Sequence, residues 1–251
     1  PDLTNEKIFG LEFGYGYRSS KFSANANFYR TSWADRFESN SVTINAGEDN
    51  EFRGTANYQG ITQVHMGLEV DFIWRILDNL RLNGFASFGN WQYEGDADAD
   101  LFDESQNYVG SSTLYLDGVK VGDAAQVTAG LGANYTFFKN FNAGLNWRLA
   151  SSLYADIDVT DFVDPDHQGS LELPSYNLVD ARLSYNWNFK GGNALEFSVN
   201  VNNLFDELYI SESETNRHAD TGDDTWNGIN TSNRVFFGWG RSWNTSIRFR
   251  F

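Results

Sequence analysis

Acidic side chains are the most abundant candidates for chemistry in this chain of 251 residues, which carries 34 Asp and Glu against 18 Lys and Arg. Asp96, Asp98 and Asp100 repeat the alternate spacing with which a calcium-binding loop begins, and carboxylate oxygens are ligands that Ca²⁺ prefers. Leu101 and Asn107 stand where such a loop carries its glycine and its final glutamate. The pattern therefore predicts either a calcium site at Asp96, Asp98 and Asp100 or a solvated, self-repelling loop surface.

The three histidines are spaced too widely to predict a metal cluster or an acid–base pair. His65 falls on the polar side of an alternating stretch, whereas His167, His218 and Trp226 lie in long polar stretches and are the candidate ligand contacts. The chain has no cysteine, so it offers no thiolate metal site, and no Gly-x-Ser-x-Gly sequence places a nucleophile. We therefore expect neither an enzyme nor a nucleic-acid partner.

Residues 235–251 show which elements must position these side chains. Large apolar residues at Phe237, Trp243, Ile247, Phe249 and Phe251 alternate with small or polar ones. Because successive side chains of a strand point to opposite faces, one face of this segment is apolar and the other polar. The run is about twice the length of a usual soluble strand. A strand of this kind is typical of an outer-membrane β-barrel, whereas a soluble β-sandwich alternates over shorter strands.

The same alternation recurs along the chain and predicts about nine membrane-spanning antiparallel strands in an all-β fold. Polar-face charges are expected to pair with one another, and most tryptophans, Trp33 and Trp91 included, to form barrel wall or interfacial anchors. We expect Phe13, Leu68, Leu131, Leu183, Val199 and Ile247 to face lipid, and Glu12, Glu69, Arg182 and Arg248 to face the lumen.

The connections alternate strictly in length. Short ones are predicted at 18–21, 77–79, 139–140 and 190–193, and long polar ones near 38–58, 94–126, 155–175 and 211–234. Short periplasmic turns and long extracellular loops are typical of outer-membrane barrels, so the pattern predicts a periplasmic C-terminus. Nine strands leave two unpaired edges, which lipid does not tolerate, so we expect a portion of a larger barrel. A ten-strand barrel requires residues 113–121 to span, but Asp117-Gly118 favours a hairpin turn there.

Three segments carry a family resemblance. Residues 1–7 (Pro-Asp-Leu-Thr-Asn-Glu-Lys) resemble a segment that precedes a mid-barrel strand, with Asn5 replacing a proline. Residues 202–209 (Asn-Asn-Leu-Phe-Asp-Glu-Leu-Tyr) resemble the Asn-Leu-Phe-Asp-x-x-Tyr motif of a penultimate strand. Gly240-Arg241 and the terminal Arg-Phe-Arg-Phe resemble a last strand. Together they resemble the C-terminal barrel portion of a TonB-dependent outer-membrane receptor.

The resemblance implies a barrel of about twenty-two strands around an N-terminal plug, of which residues 1–251 supply the last strands. It implies energy-coupled import of a scarce nutrient (an iron chelate, a cobalamin, a glycan or a peptide), with TonB contacted through a part that precedes this chain. The fragment alone is not expected to transport. A passive porin or structural barrel, or a barrel-embedded hydrolase, is the alternative.

The C-terminal residues also predict a partner in biogenesis. In barrels that resemble this one, a terminal aromatic with alternating apolar residues upstream is recognised by the barrel assembly machinery. Phe251, Phe249 and Trp243 supply that pattern here. An exposed strand edge can be captured by strand addition, so these three residues form the candidate assembly signal.

Overall fold

The computed structural model describes residues 5–45, 47–189 and 191–251. The main sheet follows nine strands: β1 (Lys7–Arg18), β2 (Phe22–Ile44), β3 (Phe52–Leu77), β4 (Leu80–Tyr93), β7 (Ala125–Phe137), β8 (Phe141–Tyr154), β10 (Tyr176–Asn188), β11 (Ala194–Asn202) and β16 (Ser242–Arg250). The other elements are β5 (Ala97–Asp103), β6 (Tyr108–Leu114), the 3₁₀ helix η1 (Val159–Asp161), β9 (Glu172–Leu173), β12 (Ile210–Ser213), β13 (Thr225–Trp226), β14 (Ile229–Asn230) and β15 (Val235–Phe237). Residues 1–4 of the resembling opening segment and Lys190 of one predicted turn lie outside the described residues.

The nine long strands pair in the order β1-β2-β3-β4-β7-β8-β10-β11-β16, and each pair is antiparallel. The predicted count of nine and the all-β antiparallel class are therefore confirmed. Within the described residues, β1 and β16 are the two edges of the sheet, and they do not pair with each other. Residues 113–121 do not span, because β6 pairs only with β5 and the Val119 amide closes a turn on Leu116 across Asp117-Gly118.

The pairing register keeps one parity across the whole sheet. Phe13 lies opposite Phe28, Phe28 opposite Leu68, and Leu68 opposite Phe88. At the other edge, Leu183 lies opposite Val199, which lies opposite Thr245. All six residues predicted to face lipid are exposed on this single apolar face. A shift of one residue in any strand would turn its apolar side chains onto the polar face, so the alternation fixes the register.

The polar face carries a ladder of paired polar side chains. Arg148 contacts Asp180 at 2.8 Å, and Glu196 receives Arg250 at 2.8 Å and Arg182 at 3.3 Å. Ser198 and Asn200 hydrogen-bond to the facing serine and asparagine of β16. The mutual pairing predicted for these charges is confirmed for Arg148, Arg182 and Arg250.

Two of the predicted boundaries are wrong. The long loop expected near 38–58 is mostly strand, because β2 and β3 stay paired as far as Ile44 and Phe52, across register shifts next to Arg36. This extension is stabilised because its small and aromatic residues pack: Ala56 and Tyr58 are buried against the β5–β6 hairpin.

The predicted strand at 235–251 is interrupted between β15 and β16. A side chain at Gly238 would collide with the ring of Tyr209, and the Arg241 amide donates to Asp206 at 2.7 Å. The side chain of Asn203 donates to the carbonyls of Glu207 and Trp239. The Asn-Leu-Phe-Asp-x-x-Tyr segment thus fastens the chain just before the terminal strand, which diverts β15 to pair with β12.

The two ends of the sheet differ. The turns joining β1–β2, β3–β4, β7–β8 and β10–β11 are short and lie at one end, where the C-terminal Arg250 also faces Ala194. At the other end the long connections pack into two apolar clusters, one around Tyr58 and Leu116 and the other around Leu173 and Ile210. The predicted asymmetry is confirmed. In the described part of the chain, no helix has the length and apolarity that crossing a membrane requires.

Spin labels placed singly along residues 63–71 should show a period of two in accessibility to a lipid-soluble relaxation agent. Labels at Met66, Leu68 and Val70 should be accessible, because these residues occupy the apolar face outside the buried part of β3. Labels at Tyr58 and Ile61, in the buried extension, should be accessible to neither lipid-soluble nor water-soluble agents. A period near 3.6, or uniform burial, would contradict the face assignment.

Candidate functional site

A polar cleft of about 440 Å³ opens among the long connections and is the candidate functional site. It lies between the segment that follows η1 and the segment that follows β12. Its lining residues are Asp161, Phe162, Asp164, Asp166, His167, Gln168, Gly169, Asn216, His218 and Asp220. The structure therefore brings together two of the predicted ligand contacts, His167 and His218, which are 51 positions apart in sequence (218 minus 167).

Asn216 fastens the two walls of this cleft to each other. Its side-chain oxygen accepts from the buried Leu171 amide at 2.6 Å, and its amide nitrogen donates to the Gly169 carbonyl at 3.0 Å. Ser170 donates to the Lys120 carbonyl at 2.5 Å, which ties the same wall to the connection after β6. Three long connections are thus held as one unit, and this fixes the shape of the cleft.

His167 uses both ring nitrogens inside this unit. Its Nε2 lies 2.7 Å from the Tyr115 carbonyl, and its Nδ1 accepts from the Gly169 amide at 3.0 Å. Because a carbonyl only accepts, Nε2 carries the proton and the ring is neutral. The ring also packs edge-on against Phe162 at 4.8 Å. His167 therefore positions the cleft wall and has no nitrogen left for a ligand.

His218 has a different arrangement. Its Nε2 donates to the Gly169 carbonyl at 3.0 Å, which leaves Nδ1 as an acceptor. Within the described residues, no hydrogen bond engages that nitrogen. Of the two histidines, His218 is the one whose ring can still accept a hydrogen bond from a solute.

The cleft is acidic. Asp161, Asp164, Asp166 and Asp220 line it, and no Lys or Arg is among its described lining residues. Partial burial, followed by the charge of nearby Asp158, raises the pKa of Asp161 above its usual value. Asp164 instead serves local structure, because its carboxylate accepts from the Asp166 amide at 2.9 Å. The arrangement favours solutes that bear positive charge or hydrogen-bond donors.

The predicted calcium residues lie elsewhere, beside the β5–β6 hairpin. Asp98 and Asp100 project from β5 next to buried alanines, whereas Asp96 accepts from the Leu116 amide at 2.9 Å and the Asp117 amide at 3.1 Å. Asp96 therefore closes a turn. Across residues 5–45, 47–189 and 191–251, no three His, Asp or Glu side chains group as a metal site requires. Calcium binding stays a prediction.

Trp226 lies outside the cleft. It belongs to β13, is partly buried against the apolar cluster around Leu173 and Ile210, and packs edge-on against Phe237 at 5.2 Å. Its packing role is therefore visible in the structure, and its contact with a ligand stays a prediction.

An aromatic group on the polar face was missed by the sequence analysis. Trp91 stacks on His65 at 5.1 Å and donates to the Tyr29 hydroxyl at 2.8 Å, and Trp33 meets His65 edge-on at 6.5 Å. Trp33 and Trp91 were expected to form barrel wall or interfacial anchors, and the register sets them on the polar face, opposite Gln63 and His65. The signal was the irregular parity of β4, in which Trp91 and Phe85 share a face with Arg81 and Asn83.

The assembly-signal residues lie on the edge strand. Trp243 and Phe249 are exposed on the apolar face of β16, and Phe251 follows its end and is fully exposed. The structure thus leaves these side chains accessible, and their recognition by assembly machinery stays a prediction.

Comparisons with known proteins agree with this architecture. The family model described as "TonB dependent receptor-like, beta-barrel" matches residues 1–204. The solved structure "Copper transporter OprC" aligns over 100% of this chain and 32% of its own, at 18% identity and a TM-score of 0.60. The FrpB iron transporter from Neisseria meningitidis aligns over 99% of this chain and 31% of its own, at 17% identity and a TM-score of 0.53.

The FpvAI chain in a structure of its pyocin S2 complex aligns over 96% of this chain and 27% of its own, at 14% identity and a TM-score of 0.51. The chain thus spans about a third of the length of these structures, and at such identities the likeness shows the fold alone. A search of curated proteins found no match.

Replacing Asn216 with Ala should loosen the cleft, because the buried Leu171 amide loses its acceptor. An unsatisfied buried donor costs about 1–3 kcal/mol, so amides 169–171 should exchange roughly ten to a hundred times faster in hydrogen-exchange measurements. The matched control is Gln168→Ala, which removes an exposed amide from the same cleft. Unchanged exchange in Asn216→Ala would show that the cleft is held by other contacts.

Proposed function

We propose, because this chain belongs to the TonB-dependent receptor β-barrel family, that the intact protein imports a scarce nutrient across the outer membrane by TonB-coupled transport. The family consists of outer-membrane transporters rather than enzymes. The observation that carries the proposal is the family match over 204 of 251 residues, together with a nine-stranded sheet that keeps one apolar face throughout.

In this proposal residues 1–251 form the C-terminal part of the barrel, and the plug and first strands come from the rest of the polypeptide. The short-turn end, where the C-terminus lies, faces the periplasm, and the long connections face outward. The polar face lines the lumen, and its charges contact the plug. TonB acts on the plug and not on this portion.

We place the first contact with solute in the acidic cleft. His218 offers a free ring nitrogen, Asp161 and Asp220 offer carboxylates, and Asn216 and His167 hold the walls in position. Such preorganisation reduces the ordering cost of binding. Trp226 extends the contact surface beside the same connections. Calcium binding at Asp96, Asp98 and Asp100 is a separate proposal.

The substrate is proposed only as a class. Of the similar structures, one is titled a copper transporter and another an iron transporter, and a third shows a pyocin complex. An iron chelate, a cobalamin, a glycan or a peptide all remain within the proposal. The absence of cations among the described lining residues of the cleft favours a solute with exposed donor groups or positive charge.

The test is uptake by cells that carry the full-length gene, measured with and without TonB. The four solute classes are supplied singly as the limiting nutrient. Growth on one of them should depend on both the gene and TonB, while binding of that solute to the cell surface should persist without TonB. Uptake that is independent of TonB would instead indicate a passive channel.

Within this assay, His218→Ala should weaken surface binding of the imported solute about tenfold, as loss of one charge-assisted or buried hydrogen bond does. Thr221→Ala is the control, since Thr221 is exposed on the same connection but is not among the residues that line the cleft. Equal binding by the two variants would remove His218 from the proposal without affecting the transport assignment.

Deleting Phe251 from the full-length protein should lower the yield of folded barrel in the outer membrane. It should lower the thermal stability of barrel that is already assembled much less, because Phe251 is fully exposed and contributes little packing. The matched control is Phe138→Ala, since Phe138 is 86% exposed and lies in a short turn at the same end. Unchanged yield, or equal losses of yield and stability, would contradict an assembly-signal role.

A further inference from the structure

A cluster of polar side chains interrupts the apolar face toward the long connections. Phe28 lies opposite Leu68 in the β2–β3 register, and both are exposed on that face. Two positions farther toward the long connections, Arg30 lies opposite Met66, which lies opposite Asn90. Residues two positions apart in a strand share a face, as do residues directly opposite each other. Arg30 and Asn90 therefore lie on the membrane side of the sheet.

Lys120 belongs to the same cluster. It lies outside the long strands but forms an antiparallel bridge with Gln92, which comes two positions after Asn90. Its Nζ donates to Asn90 Oδ1 at 2.5 Å and to Gln92 Oε1 at 2.9 Å. The bridge and both contacts place the ammonium on the same face as Arg30.

The side chain of Arg30 extends over β3 toward β4. Its Nη2 lies 3.5 Å from Oε2 of Glu94, the residue that follows β4, so the side chain crosses the intervening strand. On that strand Val64 is only 6% exposed, whereas Leu68 is 43% exposed. The cluster thus covers the apolar face beyond Met66 with charged and amide groups.

The cluster begins where a membrane crossing of β3 ends. Trp74 lies on the apolar face toward the short turns, and nine residues run from there to Met66, counting 66 to 74 inclusively. A tilted strand crosses the hydrocarbon with about nine to eleven residues. Tryptophan is typical of the interface at such a boundary, and long cationic side chains extend from the apolar surface toward headgroups. The cluster is therefore placed at headgroup level.

The charges of the cluster do not balance. Arg30 and Lys120 supply two positive charges and Glu94 supplies one negative charge. Within the described residues, Lys120 forms no ion pair and its ammonium contacts neutral amide oxygens. The amide nitrogens of Asn90 and Gln92 form no hydrogen bond within the same residues, so they can still donate. The cluster therefore suits an anion that also carries hydrogen-bonding groups.

The position of the cluster in the sheet decides which partner covers it. In the proposed barrel the plug lies on the opposite, lumenal face. Missing strands join the sheet at β1 and β16, whereas the cluster lies on β2 to β4. The remaining polypeptide is thus kept from this surface, and the membrane itself is the neighbour.

We infer that the cluster binds the phosphorylated headgroup of a glycolipid in the outer leaflet. Arg30 and Lys120 hold a phosphate, because a guanidinium donates two parallel hydrogen bonds and an ammonium acts as a point charge. The amides of Asn90 and Gln92 and the carboxylate of Glu94 contact sugar hydroxyls. The acyl chains lie over the apolar residues below. Basic groups at a membrane surface recognise anionic lipid headgroups in this way.

The inference rests on the proposed function in one respect, which is that the long connections face outward. The experiment titrates delipidated full-length protein in a non-ionic detergent with diphosphorylated lipid A and counts retained lipid by native mass spectrometry. Dioleoylphosphatidylglycerol, which is anionic but has no sugar, and dioleoylphosphatidylcholine, which has no net charge, are titrated in parallel. One lipid A should be retained per barrel, about tenfold more tightly than phosphatidylglycerol, because the sugar hydroxyls and the additional phosphate add contacts. Phosphatidylcholine should be retained least.

The Arg30→Gln/Lys120→Gln pair should weaken retention of lipid A about tenfold or more, since it removes two charge-assisted contacts. The Arg30→Lys/Lys120→Arg pair keeps both charges and should retain most of the binding. The charge-matched control is Arg53→Gln/Lys139→Gln, which removes one exposed cation from the far end of β3 and one from the turn after β7. This control should not alter retention.

Heat-dependent electrophoretic mobility reports whether each variant is folded. If Arg30→Gln/Lys120→Gln fails to fold, Lys120→Gln is measured alone, because Lys120 lies outside the nine long strands.

Three outcomes would overturn the inference. Equal retention by Arg30→Gln/Lys120→Gln and its charge-matched control would show nonspecific lipid. Phosphatidylglycerol retained as tightly as lipid A would show that the cluster does not select an outer-leaflet glycolipid. A dimer that retains no lipid and dissociates in the double variant would assign this face to a second copy of the chain. Because lipid retention is measured and not uptake, a failure of TonB-dependent uptake leaves this result unaffected.

Discussion

Backbone hydrogen bonding in lipid is the constraint on which the rest of this structure depends. Hydrocarbon offers no partner to an amide or a carbonyl, so a membrane-spanning strand must be paired along its whole length. The nine-strand ladder meets that demand for its seven inner strands, and for the inner edges of β1 and β16, through antiparallel registers such as the one joining β1 to β2. Since each register also fixes which side chains meet lipid, a single backbone requirement sets both the pairing and the two faces.

The polar face does not contact lipid, and its side chains vary more in size than those of the apolar face. There the chain places glycines, and in one case the ring of Phe85 lies over Gly130 of the neighbouring strand, where a side chain would collide. Elsewhere on the same face, the ring of Trp91 stacks on the ring of His65. Aromatic rings on this face therefore fill the space above small residues, which explains why β4 departs from simple alternation without losing its register.

The sequence was sufficient to predict what periodicity determines and insufficient for what depends on contacts between distant segments. The nine strands, their faces and the short-turn end follow from local alternation and turn residues. The extension of β2 and β3 depends on Tyr58 packing against a hairpin, from Ala97 to Leu114, that begins 39 positions later in the chain (97 minus 58). The break before β16 depends on Tyr209 reaching Gly238. The cleft is less predictable still, because it joins His167 to His218 through Gly169, and no local pattern signals that meeting.

The two ends of the sheet are held together by different kinds of contact. At the long-connection end, buried apolar clusters and hydrogen bonds such as those of Asn216 give the loops a fixed shape, so the cleft that we propose for solute binding is already organised. At the short-turn end the connections are only a few residues long, and Arg75 and Arg81, which lie opposite each other, form no ion pair within the described residues. The long-connection end is thus shaped by contacts within this chain, whereas the opposed cations of the short-turn end are not paired by the described residues.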